Sequence, residues 1–419
     1  MGELAAKWGD WTQALDYLNR SIRKGADNFR AYDLRAVVLR KLGREANLDE
    51  VLDLDPLDWW ARHFSGEAIR VDNHVRIDLA IDMMRAGLLD EALAMLSEAD
   101  PNANDGTAPM VAYYEAYLLG SKGEDTPGAY EKAAKASPDY CFPARLEDIA
   151  VLEAAPEDDA RADYYLGNQM YDRRRHREAI ALWEKTVRLD PTNAIAHRNL
   201  GIGAFNVFGD PERSKKAYEA AVRVAPDDGR LRYERDQLWK RVGVAPEERL
   251  AELRQRVDLV LDRDDLTLEF SALLNAVGRS EEAAELIEKR RFQPWEGGEG
   301  MALGAFSRTH LSLGRQALKV GDNEAAKSHF GHVLNPPYNL SEARHLLANA
   351  SDAWLAMGDA CAALGEDEEA RKWWSRAANF KGDFQEMSVR EFSELTYFQA
   401  LALSRVGRAE DAPRKLRDL

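Results

Sequence analysis

The stretch DDARADYYLGNQMYDRRRHREAIALWEKTVRLDP, residues 158–191, decides the fold of this chain. Gly167 lies in its first half, and Ala179 and Trp183 lie in its second half. Small residues at such places let two helices cross closely, because a bulky side chain would push them apart. Pro191 closes the stretch, since proline cannot continue the hydrogen-bond ladder of a helix. The stretch therefore predicts a hairpin of two helices.

The same arrangement recurs along the chain. Residues 192–226 repeat it with one inserted residue, and further copies lie near 313–330, 354–377 and 403–416. The pattern resembles the tetratricopeptide repeat, in which an aromatic residue, Leu-Gly, Ala, a second aromatic residue and Pro follow one another over about 34 residues. Outside 158–191 the resemblance is carried by Leu200, Gly201, Tyr218, Ala221, Pro226, Leu313, Gly314, Gly321, Ala326, Phe330, Trp354, Met357, Gly358, Cys361, Gly365, Ala370, Trp374, Ala377, Leu403, Gly407, Ala412 and Leu416.

Other parts of the chain follow the pattern less closely. Two N-terminal repeats reach their closing proline early, which predicts a shortened second helix in each. Residues 227–290 keep apolar spacings of three and four, which are helical. We therefore expect an all-α fold, a right-handed α-solenoid of tetratricopeptide-like helix hairpins with no β-sheet. Five segments are expected: degenerate repeats over 1–138, a connector with a short helix over 139–157, repeats over 158–291, a Gly/Trp loop over 292–300 and repeats over 301–419.

Composition excludes several classes of protein. The chain has 57 basic and 73 acidic residues, a net charge of −16, whereas non-specific nucleic-acid binding needs cations to neutralise phosphates. No apolar run of about 18 residues is present to span a membrane, and the N-terminus lacks the features of a secretion signal. Cys141 and Cys361 form no metal-binding pattern, and we expect both to be buried thiols. We expect a cytoplasmic protein without a cofactor, with neither a nucleic-acid nor a membrane partner.

A narrower resemblance lies in the second half of the chain. It is carried by FQPWEGGEG (292–300), HVLNPPYNLSEARH (332–345) and AWLAMGDACAALGEDEEARKWWSRAA (353–378). These segments are similar to the C-terminal repeat region of large bacterial proteins, in which a β-sandwich domain of unknown function precedes the tetratricopeptide array. That front domain is thought to be related to the sugar-mutarotase fold, and this chain contains nothing like it. The resemblance covers roughly residues 150–410 and implies an architecture more than an activity.

The loop at 292–300 admits two interpretations. Pro294 cannot continue the preceding helix, and the three glycines allow a sharp re-entry into the array, so the loop can be a structural joint. A phosphate loop is excluded, because no Lys-Ser/Thr follows and two glutamates would repel an anion. The alternative is a carbohydrate site, in which a Trp face stacks on a sugar beside paired carboxylates. Its candidate residues are Trp295, Glu296, Glu299, Asn339 and Glu342.

The tetratricopeptide resemblance also implies a peptide site. In peptide-clamping members of that family, Asn and Lys or Arg side chains on the first helices line a concave face and hold a terminal carboxylate. Amide and guanidinium donors suit this task. Tyr164 departs from the pattern, since it stands where Lys is needed, and Glu234 departs where a second basic residue is needed. The peptide-binding candidates are Tyr164, Asn168, Arg198, Asn199 and Arg230, with Arg198 as a partial substitute for the missing cation.

Three hypotheses about function remain open. We favour a non-catalytic scaffold for a protein or peptide, because no catalytic constellation is found and the chain is therefore not expected to be an enzyme. The alternatives are an accessory region of a carbohydrate-active protein and a homodimerisation module that uses uncapped repeat ends. His329 and His332 share a helix face, but no third ligand is evident, so no metal site is expected.

Overall fold

The computed structural model of the chain describes residues 1–124, 126–385 and 388–417. Within these ranges it contains twenty-five α-helices and one short pair of strands, which confirms the prediction of an all-α solenoid of helix hairpins. The chain divides into two compact units, Met1–Val224 and Ala225–Leu419. None of the helices formed by the described residues combines the length and the apolar character that crossing a bilayer requires.

The first unit contains fourteen helices among its described residues, and most of them pair as antiparallel neighbours. Aspartate or asparagine N-caps start many of the first helices; Asp159 accepts from the backbone N–H groups of Arg161 and Ala162, and Asn193 from that of Ala196. The helices are α1 (Gly2–Lys7), α2 (Trp11–Lys24), α3 (Phe29–Lys41), α4 (Asp49–Leu54), α5 (Trp59–Phe64), α6 (Asn73–Arg85), α7 (Leu89–Ser97), α8 (Ala108–Ser121), α9 (Pro127–Lys135), α10 (Leu146–Glu153), α11 (Ala160–Asp172), α12 (His176–Leu189), α13 (Ala194–Asn206) and α14 (Pro211–Val224).

The second unit contains the remaining helices and the strands. Its elements are α15 (Gly229–Arg241), α16 (Pro246–Arg254), α17 (Val257–Asp262), α18 (Asp264–Ala276), α19 (Ser280–Lys289), α20 (Met301–Val320), α21 (Asn323–Leu334), α22 (Ser351–Ala363), α23 (Asp367–Asn379), β1 (Asp383–Gln385), β2 (Ser388–Arg390), α24 (Thr396–Arg405) and α25 (Ala412–Arg417).

In the regular hairpins, a glycine of the first helix packs against an aromatic ring of the second helix. A Cβ added at Gly167 would lie 2.6 Å from Nε1 of Trp183, so α11 can approach α12 this closely only without a side chain there. The same relation joins Gly201 to Tyr218, Gly314 to Phe330 and Gly358 to Trp374, where the added Cβ would lie 2.4–2.5 Å from ring atoms. The residues that the repeat pattern aligns at these positions thus meet in space, and they fix how near the two helices lie.

The inserted residue of the second repeat lies in the turn of its hairpin. The α11–α12 turn spans residues 173–175, whereas the α13–α14 turn spans 207–210. The glycine–aromatic contact is kept, and the Ser214 hydroxyl, fully buried, donates to the carbonyl of Gly201 at 2.7 Å. One extra residue is therefore absorbed without moving the contact that holds the hairpin.

The degenerate N-terminal repeats differ as expected from their early prolines. Helices α4 and α7 have 6 and 9 residues, against 14 in α12 and in α14. This confirms the shortened second helices. The short helix expected in the connector corresponds to α10, and both cysteines are buried free thiols as predicted. The finer division of the chain into five segments stays a prediction.

One part of the fold prediction is wrong, because a two-stranded ladder is present. Strands β1 and β2 pair antiparallel, with Asp383 opposite Arg390. The buried Asp383 carboxylate accepts from the Asn349 backbone N–H at 2.8 Å, and the Phe384 ring stacks on His345 with centroids 3.8 Å apart. Each strand has only three residues, which is too short for an alternating pattern to be recognised in sequence.

Candidate functional site

Four of the five peptide-binding candidates lie together in the first unit. Asn168 is on α11 and Asn199 is on α13, the first helices of consecutive hairpins. The Asn199 side-chain amide donates from Nδ2 to Oδ1 of Asn168 at 2.9 Å. Arg198 donates in turn from Nη1 to Oδ1 of Asn199 at 3.2 Å. The two asparagines are thus joined directly, and a guanidinium donates to the second of them.

The Asn168 side chain is held from the hairpin core. Trp183, the ring that packs on Gly167, donates from Nε1 to Oδ1 of Asn168 at 3.1 Å. The carboxamide oxygen therefore accepts two hydrogen bonds, one from the core and one from the neighbouring repeat. A side chain fixed from both sides loses little entropy when it binds a ligand, which is the requirement for a preorganised site.

Tyr164 lies one helical turn before Asn168 and has a half-buried side chain. Burial raises the pKa of its hydroxyl, while a hydrogen bond with Asn168 acts in the opposite direction. The Tyr164 ring also packs on that of Tyr165, with centroids 5.4 Å apart. At neutral pH this hydroxyl is therefore uncharged and can donate or accept a hydrogen bond. In the peptide-clamping pattern, a lysine cation stands at this position.

The fifth candidate, Arg230, belongs to the second unit. It lies on α15, its side chain is 65% exposed, and its Nε donates to Oε1 of Glu234 at 2.9 Å. Glu234 is the residue that departs from the clamp pattern in sequence, and here it forms an ion pair with the candidate cation. The role of Arg230 in ligand binding stays a prediction.

The polar candidates near the glycine loop bind backbone groups. The Asn339 amide donates to the carbonyls of Ile287 and Arg290 at 2.9 and 2.7 Å, at the C-terminal end of α19. Glu342 accepts from the backbone N–H groups of Gly300 and Leu303 at 2.7 and 2.8 Å, at the start of α20. Both side chains therefore join helix ends, which is the work of a structural joint.

The remaining loop candidates are Trp295, Glu296 and Glu299. Trp295 is half-buried and covers Gly298, where an added Cβ would lie 2.0 Å from the indole ring. It packs beside the buried cluster that contains Phe292. Glu296 and Glu299 are exposed on the loop. A sugar site at this loop stays a prediction, and the contacts of the described residues account for the loop as a joint.

Sequence reasoning missed two groups of residues in the second unit. The first is His310, which lies beside His329 and His332 and supplies a third imidazole that is not evident in the sequence. The second is a row of cations on α20, Arg308, Arg315 and Lys319, lining a cavity of about 520 Å³. The histidine group depends on the pairing of α20 with α21, and spacing within one helix carries no signal for that. The three cations, in contrast, recur at helical spacing within α20 and could have been found in the sequence.

Comparison with known proteins adds little to these contacts. No protein-family model matches the chain. Among solved structures, PilW, described as a widely conserved type IV pilus biogenesis factor, is 16% identical with a TM-score of 0.30, over 53% of this chain and 93% of that one. MamA is 17% identical with a TM-score of 0.25, over 52% of this chain and 99% of that one.

A third solved structure, YrrB, is described as a TPR protein with an unusual peptide-binding site. It is 16% identical to this chain with a TM-score of 0.24, and the match covers 57% of this chain and 93% of that one. At these identities and TM-scores the assignment of the fold depends on the helices and packing of the chain itself.

Proposed function

We propose that this chain is a non-catalytic scaffold that binds a carboxylate group of a protein or peptide. One observation carries the proposal: the clamp-position asparagines Asn168 and Asn199 are joined by a 2.9 Å hydrogen bond across two repeats, with Arg198 bonded to the second. Repeat arrays offer extended surfaces on their first helices, and these residues lie on two successive first helices.

The chemistry of this group suits an anionic acceptor. The Asn199 amide carries two N–H hydrogens, and the bond to Asn168 uses one of them. The Arg198 guanidinium has five N–H donors in a planar fork, which matches the two oxygens of a carboxylate. Tyr164 adds a neutral hydroxyl next to Asn168. We infer that a peptide's terminal carboxylate, or an acidic side chain, binds with its oxygens toward Arg198 and Asn199.

A second surface for an acidic partner lies within the second unit. Among the described residues, the cavity of about 520 Å³ is lined by Arg308, Arg315 and Lys319, with Asp352 as the one acidic residue and Phe398 as an apolar wall. Burial lowers the pKa of Arg308, so this guanidinium is partly desolvated and gains from a bound anion. The two surfaces can be tested independently, since each lies in its own unit.

The test uses a random peptide library with free C-termini and the same library amidated. We expect the full chain to enrich peptides from the first library, and fluorescence polarisation to give their affinities. Arg198→Ala should weaken binding of a selected peptide about tenfold or more, since a charge-assisted hydrogen bond contributes about 1.5–3 kcal/mol. Arg213→Ala is the matched control, because Arg213 lies on a second helix and pairs with Glu184.

Two results would contradict the carboxylate site. One is equal affinity for the free and amidated forms of each selected peptide. The other is unchanged affinity in Arg198→Ala, with a folded protein by circular dichroism. If an enriched peptide responds to Arg315→Ala but not to Arg198→Ala, the cation row of α20 is the binding surface and the scaffold proposal stands with a different site.

A further inference from the structure

Three imidazoles converge inside the hairpin formed by α20 and α21. His310 lies on α20, and His329 and His332 lie one turn apart on α21. One ring nitrogen from each residue can be chosen so that all three lie within 4.8 Å of one another. Nδ1 of His310 is 3.1 Å from Nδ1 of His329, and the His310 and His332 ring centroids are 5.0 Å apart.

The three rings differ in burial, from a ring in the core to a ring at the surface. His310 is 1% exposed, His329 is half-buried and His332 is exposed. Burial, together with His332 and His329, lowers the pKa of His310 to about 4, and burial also lowers the pKa of His329. The ring nitrogens of all three residues thus lie near one another, while their surroundings change from the apolar core to solvent.

One nitrogen of the most buried ring is poorly satisfied. Nε2 of His310 has no hydrogen-bond partner among the described residues, although Oε1 of Glu288 lies 3.3 Å away. The two atoms are close, but they do not form a hydrogen bond. This imidazole is therefore held near a carboxylate without a formed hydrogen bond. A buried polar nitrogen without a partner is uncommon and calls for an explanation.

We propose that His310, His329 and His332 bind one divalent transition-metal ion, with Zn²⁺ the best fit to the ligand set. Zn–N bonds of about 2.0–2.1 Å in a tetrahedral site put ligand nitrogens about 3.3 Å apart, close to the spacing of the two Nδ1 atoms. His329 and His332 are three residues apart on one helix, so both reach the same side of α21. Three imidazoles satisfy a zinc ion in three positions and leave the fourth for water or another ligand.

Glu288 completes the arrangement from α19. With Nδ1 of His310 turned toward the cation, Nε2 would carry the proton and face the Glu288 carboxylate. Such a carboxylate fixes the tautomer of a metal-binding histidine and raises its basicity. A bound cation therefore explains why Nε2 of His310 lies near Glu288 without a hydrogen bond. When the cation holds the ring, a small rotation of either side chain would form that hydrogen bond.

A route for the cation opens beside His329. A cavity of about 650 Å³ is lined by this histidine and by Glu281, Glu285 and Glu288, and Lys289 is the one cation that the described part of the chain contributes to it. Three carboxylates at its wall raise the local concentration of a divalent cation. Leu313, Ala317 and Val320 form the apolar side. The site is thus buried on the His310 side and open on the His329 side, as an exchangeable metal site requires.

The test is metal binding by the full chain, prepared without a polyhistidine tag and stripped with a chelator. We expect one equivalent of Co²⁺ to give the visible absorption of tetrahedral Co²⁺, and Zn²⁺ to displace it. His332→Ala is the main variant, because His332 is exposed and its loss should not unfold the hairpin. It should weaken zinc binding by at least about tenfold, and Glu288→Gln by about 10- to 100-fold, as expected for an outer partner. His74→Ala, at an exposed histidine of the first unit, is the control and should bind zinc as wild type does.

Thermal unfolding gives a second readout. Zn²⁺ should raise the melting temperature of wild type in a concentration-dependent way, and His332→Ala should need at least about ten times more Zn²⁺ for the same rise, because a ligand that binds the native state stabilises it according to its affinity. The proposal is overturned if Co²⁺ shows only octahedral absorption, or if wild type and His332→Ala bind Zn²⁺ equally. In that case the three rings are a neutral hydrogen-bonded group within the hairpin. Neither result bears on peptide binding in the first unit.

Discussion

Helices α11 and α12 are held together by different chemistry from helices α15 to α18. In the first region a glycine meets a tryptophan ring, and the fully buried Ala179 lies at the crossing. In the second region the buried Arg249 of α16 donates to Asp236 of α15 at 3.0 and 2.5 Å and to Glu269 of α18 at 2.7 Å. One region uses shape, and the other uses a buried ion network that crosses three helices.

The difference explains why one region can be recognised in sequence and the other cannot. A glycine at the crossing is the only residue that fits, so its position recurs from repeat to repeat. An ion network needs opposite charges at the right place in space, and arginine, aspartate and glutamate also cover every exposed helix face. The sequence therefore predicts the hairpin at 158–191 in detail, but only the helical character of 227–290.

The largest effect we predict comes from breaking the ion network. Arg249→Met should lower the free energy of unfolding by about 3–5 kcal/mol, because Asp236 then stays buried without its partner and either keeps an unpaired charge or takes up a proton, and both cost free energy. Burial raises the pKa of Asp236 in spite of the guanidinium. Burial thus disfavours the charged carboxylate, and Arg249 offsets only part of this effect. Chemical denaturation followed by circular dichroism measures the change.

Two further variants sharpen this prediction. Arg254→Met, on the same helix, removes a partly exposed pair with Glu282 and should change stability by less than about 1 kcal/mol. Arg249→Met combined with Asp236→Leu should recover much of the loss, because an apolar pair replaces the buried charges. If the double variant is as unstable as Arg249→Met, the network contributes more to the free energy of unfolding than the mutual compensation of its buried charges.

The second prediction concerns the degenerate repeats at the N-terminus, which also bury a titratable group. Burial, together with the charge of Asp58, raises the pKa of Asp33 to about 8. Asp33 thus binds a proton in the native state at a pH where the unfolded chain is ionised. The unfolded state binds fewer protons, so the free energy of unfolding falls as the pH rises from about 4 to about 8.

Asp33→Asn keeps the shape and a hydrogen-bond donor but does not titrate. Between pH 5 and pH 8 the wild type should lose up to about 4 kcal/mol that the variant keeps, since one pKa unit corresponds to about 1.4 kcal/mol. Urea unfolding of both proteins across this window measures the difference. Parallel pH profiles for the two proteins would mean that Asp33 is ionised in the native state.

The third prediction tests the shape-based contact. Gly167→Ala places a methyl group 2.6 Å from Trp183, and we expect a loss of about 1–2 kcal/mol after the gain in helix propensity is subtracted. Gly128→Ala is the matched control, because Gly128 is an exposed glycine in α9 with open space around it. This change should be neutral or stabilising by a few tenths of a kcal/mol. If both substitutions have the same effect on the melting temperature, close approach of the helices is not what Gly167 provides.

The candidate sites show the same limit of sequence reasoning as the fold. Asn168 and Asn199 were predicted because the repeat register aligns them on successive first helices, and their 2.9 Å hydrogen bond follows from that register. His310 was missed because its two partners lie on another helix, and no register relates them. Asn339 and Glu342 were proposed for a ligand, yet they bind helix ends, since sequence does not show which backbone groups need a partner.

The smallest predicted effect compares two tryptophans with the same place in their repeats. Trp374 donates from Nε1 to the Asp359 carboxylate at 3.0 Å, and Trp183 donates to the Asn168 amide at 3.1 Å. Replacing either by Phe keeps most of the ring contact and should lower the free energy of unfolding by about 1 kcal/mol. The functional consequences should differ, because Asn168 is a peptide-binding candidate, whereas Asp359 also pairs with Arg405 at 3.0 Å.

Trp183→Phe removes the core hydrogen bond that orients the Asn168 side chain. In the library assay its affinity for a selected peptide should fall several-fold, while Trp374→Phe should bind as wild type does. Circular dichroism at the assay temperature establishes that both variants are folded. An equal loss in the two variants would mean that the effect comes from general destabilisation. A loss confined to Trp183→Phe would show that the core ring which closes the hairpin also positions its binding surface.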